Sequence, residues 1–428
     1  MPSQTIVERS LLPAGGHKIR LAMVVSHPIQ YYAPLYRRLA QRDDLDLRVF
    51  FTWFGQQQAV WDKGFEREFA WDIPLVDGYP FEAVPNRARD PGTHHFFGID
   101  NPGLPSRLLA WRPDVVHLTG YAFAGHLRAL RALARRGVPV LFRGDSHLLG
   151  RRGGWKQWLR KLALRQIFRW PAGFLYVGKH NRDYYRAFGV PESKLFYCPH
   201  SIELERFAER AEEFEIKARQ WRWELGIDDD RFVLVFAGKL QAKKQPVELM
   251  RAVAAINDPR LVLVVVGDGP ERPAVDALAA QYPDRFRLLP FQNQSVMPIV
   301  YRLGEVFVLP SQATDETWGL AVNEAMACSR AVVASDLVGC VPELVHPGST
   351  GEVFQAGDWE DFREKMQGLI GLSREGLAAI GSAARELAGQ FTPKMTETHL
   401  LNAVQTVLAD KMNFTHSPAV PSTHQAEA

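Results

Sequence analysis

Short apolar runs alternate along this chain with stretches whose apolar residues recur at helical spacing. Ile19, Leu21, Met23, Val24 and Val25 read as a first strand; the loop Ser26 to Tyr32 follows, then a helical pattern from Ala33 to Gln41 and a second strand from Leu45 to Phe51. A strand–loop–helix–strand opening starts a doubly wound α/β domain. The alternation recurs as a strand at Pro113 to Gly120, a helix at His126 to Arg136 with Leu127, Leu130 and Leu133 on one side, and strands at Val138 to Phe142 and Gly173 to Val177. A turn from Val190 leads into a last strand of this half that ends near His200. Residues 203–227 are charged and helical and read as a bridge.

The second half restarts the pattern. Strands are expected at Phe232–Phe236, Leu261–Val266, Phe286–Leu289, Val306–Leu309 and Ala331–Ser335, with helices at Val247–Ile256, Ser295–Leu303 and after Gly319. The alternation is expected to continue through Glu343-Leu344-Val345, and helices dominate from Trp359. The pattern predicts an α/β protein of two Rossmann-like, doubly wound domains facing across a cleft. Residues 1–17 are expected to be a mobile tail, 18–205 the first domain, 206–390 the second, 393–408 a helix crossing back onto the first, and 412–428 a disordered tail. Residues 52–107, rich in aromatics, Gly and Pro, show little periodicity.

Composition narrows the class. With 46% hydrophobic and 23% charged residues the chain reads as an ordinary soluble protein with an ample core, and a net charge of +3 implies no general field for nucleic acid. Three cysteines, Cys198, Cys328 and Cys340, without a Cys-x-x-Cys, argue against a disulfide framework and for a reducing compartment. Pro2 to His17 has no sustained apolar run, and Leu261–Val266, the longest aliphatic run, is too short to span a bilayer. A cytoplasmic protein is expected, with peripheral docking at the inner face of the cell membrane as the one membrane option. That option rests on residues 151–170, where Arg151, Arg152, Lys156, Arg160, Lys161, Arg165 and Arg169 interleave with Trp155, Trp158, Leu159, Leu162, Leu164, Ile167, Phe168 and Trp170. No acidic residue lies between Asp145 and Asp183. Such a helix fits an anionic membrane interface, or a core stripe with its arginines in water; the apolar positions form no single clean stripe. Because cations and aromatics are confined to this one helix, no nucleic-acid partner is expected.

The chemistry gathers in Asp315-Glu316-Thr317-Trp318-Gly319-Leu320-Ala321-Val322-Asn323-Glu324-Ala325-Met326-Ala327. Glu316 falls on a strand-to-helix loop and Glu324 about two turns into the helix. Between them lies a helix N-terminus, whose free amides and positive dipole end suit a phosphate. Two solvated glutamates on an ordinary strand–loop–helix are the alternative. Lys239, on a loop after a strand and beside Gly238, and Lys244, near the next helix start, add two cations able to hold a diphosphate near Gly319-Leu320. The loop after the first strand lacks the Gly-x-Gly-x-x-Gly fingerprint, which argues against a dehydrogenase. Arg143-Gly144-Asp145-Ser146-His147, at a strand's carboxyl end, is a candidate cleft segment. His94-His95 suggests a metal, but with no carboxylate or Cys at ligand spacing it reads as a surface or acceptor loop.

Gly238-Lys239-Leu240 with Lys244, Gly267-Asp268-Gly269, Leu309-Pro310-Ser311 and the Glu316…Glu324 pair together resemble the family-four retaining glycosyltransferases, group 1, of the GT-B fold. The resemblance covers about Lys18 to Leu408 and is strongest from Phe232 to Val353. It implies that Glu324 grips the ribose diol of a nucleotide, that Glu316 contacts the donor sugar, and that Lys239 and Lys244 bind the diphosphate, with Gly238, Gly267, Gly319 and Leu320 around the nucleotide. The first domain would bind the acceptor and the second the nucleotide sugar. Ser26-His27-Pro28 stands where many members carry a Gly-rich loop, Asp145 where many carry a His, and Ser329 and Ala331 where Gly and Pro are usual. Asp145 is the expected acceptor-side residue, with His147 two positions on.

The resulting expectation is transfer of a sugar from a nucleoside-diphosphate donor to a hydroxyl acceptor (a glycan, a lipid-linked sugar or a small molecule). The resemblance implies retention of configuration; no metal and no permanently bound cofactor are expected. The donor base, UDP, GDP or ADP, stays open. A nucleotide-sugar epimerase or phosphorylase on the same fold, or a non-catalytic nucleotide-sugar-binding partner, are the alternatives.

Overall fold

The computed structural model describes residues 17–55, 60–62, 64–150, 154–312 and 316–416. The first domain contributes β1 (Ile19–Val25), β2 (Leu45–Phe51), β3 (Val60–Asp62), β4 (Arg67–Phe69), β5 (Phe81–Ala83), β6 (Val115–Thr119), β7 (Val140–Arg143), β8 (Gly173–Tyr176) and β9 (Leu195–Tyr197). The second contributes β10 (Phe232–Ala237), β11 (Leu261–Val266), β12 (Phe286–Leu289), β13 (Val306–Leu309), β14 (Ala331–Ser335) and β15 (Gly351–Phe354).

Seven strands form one parallel sheet in the order β5-β2-β1-β6-β7-β8-β9, and six form another in the order β12-β11-β10-β13-β14-β15. Both are covered on both faces, which is why their central strands read as unbroken Val/Leu runs. Along β10, Val233, Val235 and Ala237 enter one core while Leu234 and Phe236 enter the other. In each sheet the connection reverses direction beside the first strand, at β1 and at β10. Ligands of open α/β sheets bind in the crevice at such reversals, beyond the carboxyl ends of the strands.

Several local expectations change. After β14, Val341–Leu344 is a short helix with Pro342 in its first turn, and the edge strand is β15, whose Gly-Glu-Val-Phe sequence carries too little pattern to announce itself. The aperiodic region 52–107 contains the hairpin β3–β4, the strand β5 and the start of the helix Leu104–Trp111. The final helix runs from Pro393 through His416, so 412–416, expected to be disordered, are helical. Residues 417–428 and 1–16, the rest of the expected tails, lie outside the described residues. The final helix packs Leu400, Ala403, Val404 and Val407 into the first domain's core beside Leu35, Tyr36 and Leu39, and its Glu397 pairs with Arg38 at 2.7 Å and Arg42 at 3.2 Å.

Candidate active site

Residues 316–319, which lead into the helix Leu320–Ala327, are fixed before they carry any chemistry. Gly319 caps the helix at φ +95°, and a Cβ there would lie 2.8 Å from Val338 Cγ1, so the position needs glycine. Trp318, 3% exposed, donates its indole N–H to Asn323 Oδ1 at 2.8 Å, stapling the loop to the first turn of the helix. Gly339 N–H donates to Glu316 O and Cys340 N–H to Trp318 O, at 3.0 and 2.9 Å. Glu316 and Glu324 are therefore held in a set relation. Glu324 is the fifth residue of the helix, a little over one turn in rather than two, because the helix starts only after Gly319.

Glu324 is 2% exposed. Its Oε2 accepts from Tyr301 OH at 2.5 Å and its Oε1 from Tyr31 OH at 3.0 Å, with Arg206 Nη2 3.9 Å from Oε1. Burial pushes its carboxyl above the usual range, while Arg206 and the two hydroxyls favour the charged form. Tyr31 belongs to the loop after β1, so the two domains already touch at this carboxylate. Glu316 accepts from Ser311 Oγ at 3.0 Å and is ion-paired with Lys244, which stands on the single turn Ala242–Lys244.

Beside them, the loop after β10 lies against the loop after β11. Gly238 N–H donates to Val266 O at 3.0 Å, and a Cβ on Gly267 would fall 2.0 Å from Gly238 O, so the two strand ends approach more closely than any side chain allows. A cavity of about 370 Å³ opens here, lined by Gly238, Lys239, Lys244, Gly267, Glu316, Leu320 and Glu324 together with Tyr31, Phe65, Trp71, Phe291 and Gln294. Seven of the residues singled out in the sequence thus share one cavity. Gly319 does not line it; it positions Leu320, which does.

The first domain supplies part of the wall. The turn after β3 carries Phe65 onto Phe291, ring centroids 4.6 Å apart, and Lys239 Nζ lies 4.9 Å from the centroid of Phe65. Arg67 pairs with Asp268 at 2.9 Å, and Asn293 Nδ2 donates to Ala70 O at 2.7 Å. This region gave no periodic signal; its clustered aromatics were the only sign of it.

Asp145, the expected acceptor-side residue, is not in the cavity lining but meets the Glu316 loop: Thr317 Oγ1 donates to Asp145 Oδ2 at 2.7 Å. Its neighbours do not face the cleft as expected. His147 is fully buried, its Nδ1 accepting from Leu149 N–H at 3.2 Å. Arg143, 3% exposed, donates to Cys198 O at 2.8 Å beneath the ring of Tyr32. Ser26-His27-Pro28 is shaped by its own contacts, with Ser26 Oγ 2.9 Å from His27 Nδ1 and the imidazole edge-on to Trp53. Burial lowers the pKa of His27 to about 4, so its imidazole is neutral at pH 7. The His94–His95 pair does have a carboxylate: Asp90 Oδ2 is 2.8 Å from His94 Nε2 and 3.4 Å from His95 Nε2, brought round by the turn at Gly92. These three groups lie on the surface and outside the cavity lining. Asp315, Arg151 and Arg152 lie outside the described residues.

Two facing parallel-sheet domains, with a cavity between them built on the reversal point of the second, define the GT-B class of fold. Comparison with known proteins agrees. A family model described as glycosyl transferases group 1 matches residues 217–387, and one described as a glycosyl transferase 4-like domain matches 28–200. The chain belongs to the group 1 glycosyltransferases. The D-inositol 3-phosphate glycosyltransferase of Saccharomonospora viridis is 33% identical over 198 residues, 43% of this chain and 45% of that protein. The protein of the same description from Geodermatophilus obscurus is 32% identical over 249 residues, 55% of this chain and 52% of its own. This chain thus spans about half the length of the curated relatives it matches. Among solved structures, an α,α-trehalose 6-phosphate synthase from Burkholderia multivorans superposes with a TM-score of 0.71 at 14% identity, over 95% of this chain and 100% of that one. Anabaena HepE in complex with UDP and glucose gives 0.63 at 17%, over 92% and 100%. At these identities the solved structures establish the fold alone.

Proposed function

We propose that this chain transfers a glycosyl group from a nucleoside-diphosphate sugar to a hydroxyl acceptor with retention at the anomeric carbon, and needs no metal ion to do so. The observation that carries the reading is the cavity in which Lys239, Lys244, Gly238 and the N-terminus of Leu320–Ala327 converge between two differently placed glutamates. Glu324 accepts the ribose hydroxyls. Lys244 turns from Glu316 to the diphosphate, and Glu316 becomes an acceptor for the donor sugar's hydroxyls. The bond from the anomeric carbon to the phosphate oxygen breaks, the acceptor oxygen forms its bond on the same face, and the acceptor's proton passes to the departing phosphate. Lys239 and the helix amides are preorganised where that negative charge develops, the kind of arrangement that supplies the largest share of many rate enhancements, and Lys244 joins them on turning. Two lysines and a helix end neutralise the leaving group without a bridging cation. Asp145, tied to the donor side through Thr317, orients the acceptor hydroxyl.

Relatives described as D-inositol 3-phosphate glycosyltransferases favour a polyol phosphate as the acceptor class, and the UDP held by Anabaena HepE makes UDP-sugars the first donors to try. The test is a screen of UDP-, GDP- and ADP-sugars for nucleoside diphosphate release with and without polyol phosphates, repeated in EDTA. Anomeric proton couplings of the product report retention. Glu324→Ala is expected to lose donor turnover; near-normal turnover in that variant, or an epimer formed from donor alone, defeats the proposal.

A further inference from the structure

The helix Trp155–Ile167 presents two apolar stripes rather than one. On the inner side Leu164 and Phe168 are 3% and 6% exposed, with Phe168 packed on Phe142 and Phe174. On the outer side Trp155, Trp158, Leu159 and Leu162, spaced i, i+3, i+4 and i+7, are 70%, 61%, 48% and 45% exposed. A helix that only covers a core gives its polar face to water; this one gives water a second hydrophobic seam. Twelve large hydrophobic residues are exposed among the described residues, and four of them lie on this helix, so the patch is a cluster rather than the scattered exposure normal for a soluble surface.

Charge says what covers the seam. The helix carries four cations, Lys156, Arg160, Lys161 and Arg165, and no acid. Lys161 and Arg165 are exposed, and Arg169 continues the series beyond the helix end. Arg160 Nη2 donates to Tyr121 OH at 3.1 Å, anchoring the helix to the loop after β6. Tryptophans and leucines on one face with lysines and arginines among them are the composition of a helix lying in a bilayer interface, rings at the headgroup level and cations on lipid phosphates. A protein partner would need a matching acidic groove; an anionic lipid surface supplies the same charge everywhere and tolerates the projecting indoles.

We infer that the helix Trp155–Ile167 docks this chain on an anionic membrane surface. Among the described residues no helix is long and apolar enough to cross a membrane, so the contact is one of lying on the surface. Along the chain the helix follows the segment that leaves the carboxyl end of β7 and carries Asp145. That the acceptor is drawn from the membrane rests on the transferase reading above; the docking does not.

The test is flotation of the full chain with phosphatidylcholine vesicles, with or without about a third phosphatidylglycerol, at low and high salt. The protein is expected to float with the anionic vesicles only, and less at high salt. Trp155→Ser/Trp158→Ser is expected to lower the bound fraction on the order of tenfold. Lys161→Glu/Arg165→Glu should lower it at least as far, since each cation at such a surface is worth about fivefold in partitioning. Thermal melting and nucleoside diphosphate release with a water-soluble acceptor confirm that the variants fold. Absence of flotation, equal flotation with neutral vesicles, or undiminished flotation of both variants overturns the inference. So does a dimer in sedimentation that the same substitutions dissociate, which would assign the seam to a second copy. Docking without donor turnover would leave the inference standing and sink the transferase reading alone.

Discussion

Tyr31→Phe is expected to tighten nucleoside diphosphate binding. The Tyr31 hydroxyl, from the first domain, donates to Glu324 Oε1 at 3.0 Å, while Tyr301 holds Oε2. A ribose diol that takes Glu324 as its acceptor replaces the Tyr31 hydroxyl with one of its own. The hydrogen bond from Tyr31 is then present before binding and absent after it. A hydrogen bond to a charged group contributes about 1.5–3 kcal/mol, so the free protein loses about that much in Tyr31→Phe while the complex loses little. The difference appears as affinity, about 10- to 100-fold at ~1.4 kcal/mol per decade. The lower end is the better expectation, because a carboxylate whose pKa burial already raises can take up a proton once the hydroxyl is gone. Tyr301→Phe makes the contrast: its bond lies deeper, on the far oxygen, and is kept in the complex, so it should lower stability without tightening binding. Calorimetric titration of the preferred nucleoside diphosphate into wild type and both variants, with thermal melting of the ligand-free proteins, checks the cycle. Unchanged or weaker binding in Tyr31→Phe would refute the exchange.

Lys244→Ala should reduce kcat on the order of 100-fold with a smaller effect on KM, because its charge matters most as the phosphate departs; equal losses in both would assign it to ground-state binding. Phe65→Ala should raise the Kd for nucleoside diphosphate about tenfold, roughly the worth of one stacked aromatic, while leaving the melting temperature nearly unchanged, as titration will show. Glu343 accepts the Lys179 backbone N–H at 2.6 Å, and burial raises its pKa to about 7. Between the unfolded value of 4.5 and that point the folded chain holds the extra proton. Stability from this group is therefore full at low pH and is lost as pH rises toward 7, at no more than about 1.4 kcal/mol per pH unit. Glu343→Gln should flatten that slope in denaturant titrations at several pH values.

The central strands were legible because they are buried on both faces, as the all-buried Leu261–Val266 illustrates. The shared cavity was legible for a different reason: a positive-φ glycine, a helix start and charged side chains at fixed offsets lie close together in sequence around Gly319. What contributes from far away left no such trace. Tyr31 and Tyr301 reach Glu324 from 293 and 23 positions off, and neither residue type is unusual where it stands. Arg143 and His147 were misplaced because a strand's carboxyl end says which direction a segment leaves, not which of its side chains turn inward. Asp90 reaches His94 and His95 through a glycine turn that no helical or strand period describes. Residues 155–168 looked like one blurred stripe because the apolar positions of two opposite faces were being read as a single face.

The hairpin β3–β4 has a consequence for exchanging parts between family members. Phe65 and Trp71 come from the first domain but line the cavity whose floor belongs to the second. Arg67 and Ala70 fasten the same segment to Asp268 and Asn293. On the proposed reading, donor preference is therefore not a portable property of the second domain. A hybrid joining residues 206–390 to a foreign first domain inherits the lysines and glutamates but takes this part of the cavity wall from the other parent. Such hybrids should keep their sugar transfer chemistry and shift in which nucleotide they accept, and grafting residues 60–72 along with the second domain should restore the original choice.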